Sequence, residues 1–410
     1  MFPRILNSHL AQAWKQFPVV VMTGARQVGK TTLARKFLPE AGYITLDVPA
    51  EAERARLSPA EFFQPHSRPL ILDEVQYAPS LFRQLKLMVD QDRRPGQYLV
   101  TGSQSFSLMA GVTESLAGRC AILTMPALSL PELPDATNLA SIDSFLWRGG
   151  YPELWQKPEI DRSLWLGSYL TTYLERDVRN LLSVGSLRDF DRFLRVAALR
   201  AGQILSYADL ARDVGISPHT AKSWLSVLEA SQQVFLLEPY HRQRTKRLVK
   251  SPKLYFTDTG LLTYLMGFNS PAELPRHALW GAVWENLVVA EIRKSFLGRG
   301  QRPPLWFWRT SAGDEIDLLV EIAPERFITV ECKAAAQVDL SAVKSNRVLR
   351  EEYGPDAVAK ALVVCRTDRA YPLAADTDAV PLVGPGGLLG RPEFTDGGGE
   401  FGPESLRPGG

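Results

Sequence analysis

Cysteine is scarce: 410 residues contain only Cys120, Cys332 and Cys365. They form no C-x-x-C pair and are odd in number, which argues against a disulfide framework and for a reducing compartment. The five scattered histidines offer no zinc-like cluster. No apolar run reaches the roughly 18 residues that span a bilayer, and the N-terminus lacks the apolar core of a signal peptide. A cytoplasmic protein with no membrane partner is therefore expected. An excess of one charge is missing too, since 47 Lys and Arg meet 45 Asp and Glu for a net charge of +2. Total charge thus excludes no partner, and only its local distribution informs. The remaining composition, 45% hydrophobic and 22% charged, is that of a soluble globular protein long enough for two or three domains.

What is present is a phosphate-loop pattern. Gly24-Ala25-Arg26-Gln27-Val28-Gly29-Lys30-Thr31 fits G-x-x-x-x-G-K-[ST] at every defined position. Pro18 to Met22 reads as a buried strand before it, and Thr32 to Leu38 as a helix after it. A strand, a glycine-bearing turn and a helix N-terminus make an anion site. Residues 24 to 32 would cradle a nucleotide, Lys30 would meet the β- and γ-phosphates, and the Thr31 hydroxyl suits Mg²⁺. The bland alternative is a chance match in a strand-to-helix turn. Against it stands Pro69-Leu70-Ile71-Leu72-Asp73-Glu74, an apolar run ending in two acids, as at the carboxyl end of a buried parallel strand. Asp73 would serve the Mg²⁺ shell and Glu74 would orient or deprotonate the attacking water. A third strand, Gln97 to Val100, leads into Thr101, Ser103 and Gln104. These are candidate sensors of the γ-phosphate, with Ser103 or Gln104 preferred.

Strands alternate with helical stretches up to about residue 131, the pattern of an α/β parallel sheet. Pro126, Pro131 and Pro134 punctuate a linker-like stretch. A helix-rich region with a helix-turn-helix (about 187–250) fills residues 132–250. A mixed region follows over 251–383, and a Gly- and Pro-rich tail, 384–410, reads as disordered. In the middle, Tyr207 to Val214 reads as a first helix packed through Leu210, Ala211 and Val214. Gly215 permits the turn, Ser217 caps a second helix with Pro218 at its first position, and Ala221, Leu225 and Leu228 face the core. This leaves His219, Thr220, Lys222 and Ser223 exposed for a DNA groove. Val234 to Leu237 would begin a wing. The segment 241–253 carries Arg242, Arg244, Lys246, Arg247, Lys250 and Lys253 and no acid, which suits phosphate contact. Winged helices also serve as protein-interaction modules, and basic hairpins are often merely solvated.

In the last region Trp284 to Ile292 reads as an amphipathic helix, and strands follow at 305–308, 313–320 and 327–333. Asp317 and then Glu331-x-Lys333, fourteen residues later, match a metal-dependent nuclease spacing. Glu285, Asp317 and Glu331 would share a divalent ion, and Lys333 would lie on the same sheet face. The alternative is a degenerate fold whose ion pairs only hold two strands together.

Together these motifs resemble prokaryotic AAA+-like ATPases with a C-terminal DUF4143 domain. So do Thr101-Gly102-Ser103, Ser115-Leu116-Ala117-Gly118-Arg119, Gly149-Gly150-Tyr151-Pro152, residues 173–178, and Tyr255-Phe256-Thr257-Asp258-Thr259-Gly260-Leu261. The resemblance runs from the N-terminus to about residue 370. It implies an α/β P-loop NTPase sheet of the AAA+/ASCE type, then a helical winged-helix region, then a mixed α/β, restriction-endonuclease-like PD-(D/E)XK domain. It also implies ATP and Mg²⁺ as ligands and ATP hydrolysis. Gln104 departs from it, since a small hydroxyl residue is expected there. Arg119 occupies the place of an arginine finger, which would require a homo-oligomer, a hexamer being one form. A local salt bridge is the plain alternative for Arg119, and Arg176 is a second finger candidate. The leading expectation is an ATP-driven protein acting on DNA, with cleavage if the acid site is active. The competing one is a nucleotide-controlled oligomeric switch or scaffold.

Overall fold

In the computed structural model, residues 2–103, 115–134, 137–173, 187–241 and 251–395 are described. The short apolar runs of the first 125 residues form five parallel strands: β1 (Val19–Thr23), β2 (Gly42–Thr45), β3 (Leu70–Asp73), β4 (Tyr98–Gly102) and β5 (Cys120–Thr124). Their order is β2-β3-β4-β1-β5, with every neighbouring pair parallel. Successive side chains of a strand point to opposite faces, and the two faces bury separate clusters. Val19, Val21, Leu70, Leu72 and Val100 pack against Leu81, Phe82, Leu85 and Val89 of the helix Leu81–Gln91. Val20, Met22, Ile71 and Leu99 pack against Leu6 and Leu10 of Leu6–Gln16 and Leu33 of Lys30–Phe37. Covering both faces explains why β1, β3 and β4 are continuous apolar runs rather than alternating ones. Each fully buried aliphatic side chain contributes roughly 1.5–3 kcal/mol. The central strands are therefore the firmest part of this unit.

The proline-punctuated stretch after β5 is a packed joint rather than a free tether. Lys294 Nζ donates to the Leu128 carbonyl (3.0 Å), and the Leu130 N–H donates to Glu291 (2.7 Å). Glu132 accepts from the N–H groups of Ile5 (2.7 Å) and Ser129 (3.1 Å). The helices Tyr207–Val214 and Pro218–Ala230 form as the caps predict: Gly215 is left-handed (φ 87°) and the Ser217 hydroxyl accepts from the Thr220 N–H at 3.0 Å. Leu210, Ala211, Val214, Ala221, Leu225 and Leu228 are buried. Strand β6 (Val234–Leu237) pairs antiparallel with β7 (Lys253–Phe256).

The last region has a sheet of order β12-β13-β11-β10-β9-β8. Its strands are β8 (Leu305–Arg309), β9 (Glu315–Ala323), β10 (Arg326–Cys332), β11 (Val358–Val364), β12 (Tyr371–Ala374) and β13 (Thr377–Val380). β9 pairs antiparallel with both β8 and β10, and β11 pairs parallel with both β10 and β13.

Two expectations need correction. The helix around Trp284 spans Trp280–Gly298 and is buried on most sides rather than along one stripe, because the second sheet, the joint and the chain after residue 384 all pack on it. The tail is ordered as far as residue 395, since Leu388, Leu389 and Phe394 are buried and Phe394 meets Phe296 edge-on at 6.4 Å. The apolar residues within that Gly- and Pro-rich run were the missed signal. Residues 396–410 lie outside the described residues, as do Gln104, Arg176, Arg242, Arg244, Lys246, Arg247 and Lys250.

Candidate functional site

The phosphate loop leaves β1, the two acids end β3, and Ser103 follows β4, which lies between them. Three adjacent carboxyl ends thus converge, the place where open parallel sheets bind ligands. Gly24 has no substitute here, because an added Cβ would lie 2.4 Å from the Met125 carbonyl oxygen. Gly29 turns the chain into the helix Lys30–Phe37 at φ 96°, a conformation that favours glycine. Lys30 is buried, and its ammonium donates to the carbonyls of Gly24 (3.0 Å) and Ala25 (2.8 Å), so it lies folded over the loop. A cavity of about 300 Å³ adjoins the loop, lined by Arg4, Gln27, Gly29 and Thr32 and, from the helical region, Pro152 and Glu153.

Asp73 is ringed by hydroxyls. Thr31 Oγ1 donates to it at 2.9 Å, the Tyr43 hydroxyl at 2.8 Å, and Thr101 also donates to it. Burial, and then the hydrogen bond to Asp73, push the Tyr43 phenol up to about 12, so it stays a donor. Glu74 has left-handed backbone (φ 56°), costly for a non-glycine residue. Its carboxylate accepts from Ser103 Oγ at 2.9 Å and from Gln76. The structure therefore brings together Lys30, Thr31, Asp73, Glu74 and Ser103, and adds Tyr43, Gln76 and Thr101. Thr31 and Asp73 present hard oxygen donors side by side, a set that fits Mg²⁺ beside bound phosphates.

Arg119 stands elsewhere. It precedes β5 at the amino edge of the sheet, away from its own phosphate loop, and its guanidinium pairs with Asp90 at 2.7 and 2.9 Å. A second arginine was missed. Arg4, almost fully buried, donates to the carbonyls of Val28 in the loop (2.9 Å) and Pro126 (2.5 Å), and pairs with Glu132 at 3.2 Å.

His219 and Lys222 are exposed and Thr220 half-buried on the second helix of the helix-turn-helix. Lys253, read with the basic run, is no surface phosphate contact: it is buried at 3% exposure and donates to Glu285 (2.9 Å) and Glu315 (2.6 Å), with Asp317 at 3.9 Å. The expected metal set, Glu285, Asp317 and Glu331, does gather in one place. Yet among the described residues no group of three or more His, Cys, Asp or Glu is arranged to hold a metal ion. Asp317 accepts from the Cys332 N–H (2.8 Å), Glu285 from the Tyr255 hydroxyl (2.5 Å), and Glu331 from Lys333 (2.7 Å). Burial, and then the charge of Asp317, push Glu285 up to about 7 and Glu331 up to about 8. The residues present do not fit a divalent ion, because a lysine stands among the acids.

Among the described residues no helix is long and apolar enough to cross a membrane. Residues 16–133 match the family described as AAA domain, and residues 280–383 match the domain of unknown function DUF4143. Residues 139–272 match a third, DUF8612, also of unknown function. Among solved structures the chain resembles the Walker-type ATPase PABY2304 of Pyrococcus abyssi, at 18% identity and TM-score 0.41 over 63% of this chain and 94% of that one. It also resembles the Thermotoga maritima RuvB Holliday junction branch migration motor, at 15% identity and TM-score 0.31 over 56% and 88%. At those scores the family rests on the sequence matches alone. Two relatives, both described as uncharacterized, are Rv2008c of Mycobacterium tuberculosis and Mb2031c of Mycobacterium bovis. Each is 31% identical over 393 residues, which is 91% of this chain and 82% of the relative. The chain belongs to the family of these two mycobacterial proteins, as an AAA-type P-loop ATPase with a DUF4143 domain near its C-terminal end.

Proposed function

We propose that the chain is a Mg²⁺-dependent ATPase that couples ATP hydrolysis to action on DNA. The observation that carries the ATPase reading is the convergence of Lys30, the Thr31–Asp73 pair and the Glu74–Ser103 pair at three adjacent strand ends. In this reading Lys30 leaves the Gly24 and Ala25 carbonyls and moves onto the β- and γ-phosphates. Thr31 and Asp73 would hold the Mg²⁺, which supplies charge neutralisation on the phosphate oxygens. Glu74, held by Ser103 and Gln76, orients the attacking water and takes its proton. Ser103, touching Glu74 directly, is placed to register loss of the γ-phosphate. Arg119 is too far along the sheet to serve its own nucleotide, so a finger role requires a second copy of the chain, and a homo-oligomer is part of the proposal. DNA would lie along His219, Thr220 and Lys222, and along the basic segment 242–250. The order helix, three antiparallel strands, helix, parallel strand in the last region is compatible with a nuclease-like fold. Cleavage is not expected, because Lys253 stands among the acids.

The test is the steady-state ATPase rate with and without duplex, single-stranded and branched DNA over a salt series. Stimulation that fades with salt is expected. A rate indifferent to every DNA would replace this reading with a nucleotide-controlled switch whose partner is a protein.

A further inference from the structure

We infer that Lys253 is the resident cation of the C-terminal acid cluster and stands where a divalent metal would otherwise bind. This does not depend on the ATPase reading. Strand β7 carries Lys253 in from the hairpin that ends the helix-turn-helix, with Leu237 opposite it in register. The acids come from other elements: Glu285 from the helix Trp280–Gly298, and Glu315 and Asp317 from β9. The ammonium spends its protons on Glu285 at 2.9 Å and Glu315 at 2.6 Å and sits 3.9 Å from Asp317. It packs near the Phe307 ring, 5.6 Å from the centroid, with its own side chain 3% exposed and those of Glu285, Glu315 and Asp317 14–28% exposed.

Every carboxylate of the set is also engaged by another donor of the same chain. Tyr255 donates to Glu285, the Cys332 N–H to Asp317, Arg309 pairs with Glu315 at 3.3 Å, and Lys333 pairs with Glu331. A divalent ion would need one or more of these carboxylates free to ligate it beside its own waters. To bind two or more of these carboxylates it would have to displace the Lys253 ammonium from between them and break its buried ion pairs. The chain has thus replaced an exchangeable cation by a covalently attached one. The consequence is mechanical: the lysine bridges the hairpin of the middle region to the helix and sheet of the last region, and it fastens them permanently rather than when metal is supplied. A metal-dependent cut at these acids is not expected.

The test is Mn²⁺ binding to full-length, nucleotide-free protein by equilibrium dialysis, comparing the natural chain with Asp317→Asn, Lys253→Met and the double variant. The natural chain should show no Mn²⁺ uptake that Asp317→Asn removes. Lys253→Met should gain about one Mn²⁺ per chain, lost again in the double variant, and Mn²⁺ should raise its melting temperature. Mn²⁺ uptake by the natural chain that Asp317→Asn abolishes would overturn the inference. So would a folded Lys253→Met protein that gains no ion. If Lys253→Met does not fold, the natural chain against Asp317→Asn decides alone.

Discussion

Replacing Arg4 by methionine tests whether the N-terminal segment governs the phosphate loop. The Arg4 side chain is 4% exposed and that of its partner Glu132 5%, so the ion pair has little access to water. Methionine keeps much of the volume and removes the charge. Glu132 then retains only the N–H groups of Ile5 and Ser129, and the carbonyls of Val28 and Pro126 lose their donor. Breaking a buried pair by deleting one partner costs roughly 3–5 kcal/mol, because the remaining charge is uncompensated. Adding Glu132→Gln removes that charge, so the double variant should be more stable than the sum of the singles by about 1–3 kcal/mol. Urea unfolding followed by circular dichroism measures both quantities. The loop should respond as well. Val28 lies between Gln27 (φ 62°) and Gly29 (φ 96°), and Arg4 holds its carbonyl in that turn. If freeing the turn costs about 1.4 kcal/mol of preorganisation, ATP affinity falls about tenfold, measurable with a fluorescent ATP analogue. A destabilisation below about 1 kcal/mol, or strictly additive singles, would refute the reasoning.

Two more predictions concern single hydrogen-bond sets. Glu74→Gln keeps an acceptor for Ser103 but no base, so ATP binding should survive while single-turnover hydrolysis drops about 100-fold or more; a rate within tenfold of the natural chain would remove Glu74 from this role. Asp258 is buried and accepts from the N–H groups of Gly150 (2.6 Å) and Leu261 (2.9 Å), capping the helix Thr259–Leu265 and tying two motifs a hundred residues apart. Asp258→Ala should cost roughly 2–4 kcal/mol, a lost cap plus an unsatisfied buried N–H, and a urea midpoint close to that of the natural chain would refute it.

The phosphate loop and the Asp73–Glu74 pair were legible because their chemistry is local. A strand, a turn and a helix N-terminus are contiguous in the chain, and an apolar run with acids at its end already says which end of a buried strand it is. The helix-turn-helix was legible for the same reason: Gly215 and Ser217 act on backbone groups within a few residues of themselves. Arg4, Tyr43 and Lys253 were not legible, since each acquires its role from a partner 24 to 128 residues away in the chain. In sequence Lys253 is one more cation in a basic run, and only its burial among Glu285, Glu315 and Asp317 separates it from the surface residues beside it. Arg119 shows the reverse. Its place in the chain after the strand Gln97 to Val100 was readable, but that it lies at the opposite edge of the sheet from the loop follows from the parallel register of β5, Val19 beside Cys120 and Thr23 beside Thr124. The sequence by itself determined the nucleotide-binding end of this protein, because backbone geometry there depends on neighbouring residues. Only the tertiary structure decided the character of the C-terminal acids, because whether clustered carboxylates hold a metal or a lysine depends on which distant side chain is buried with them.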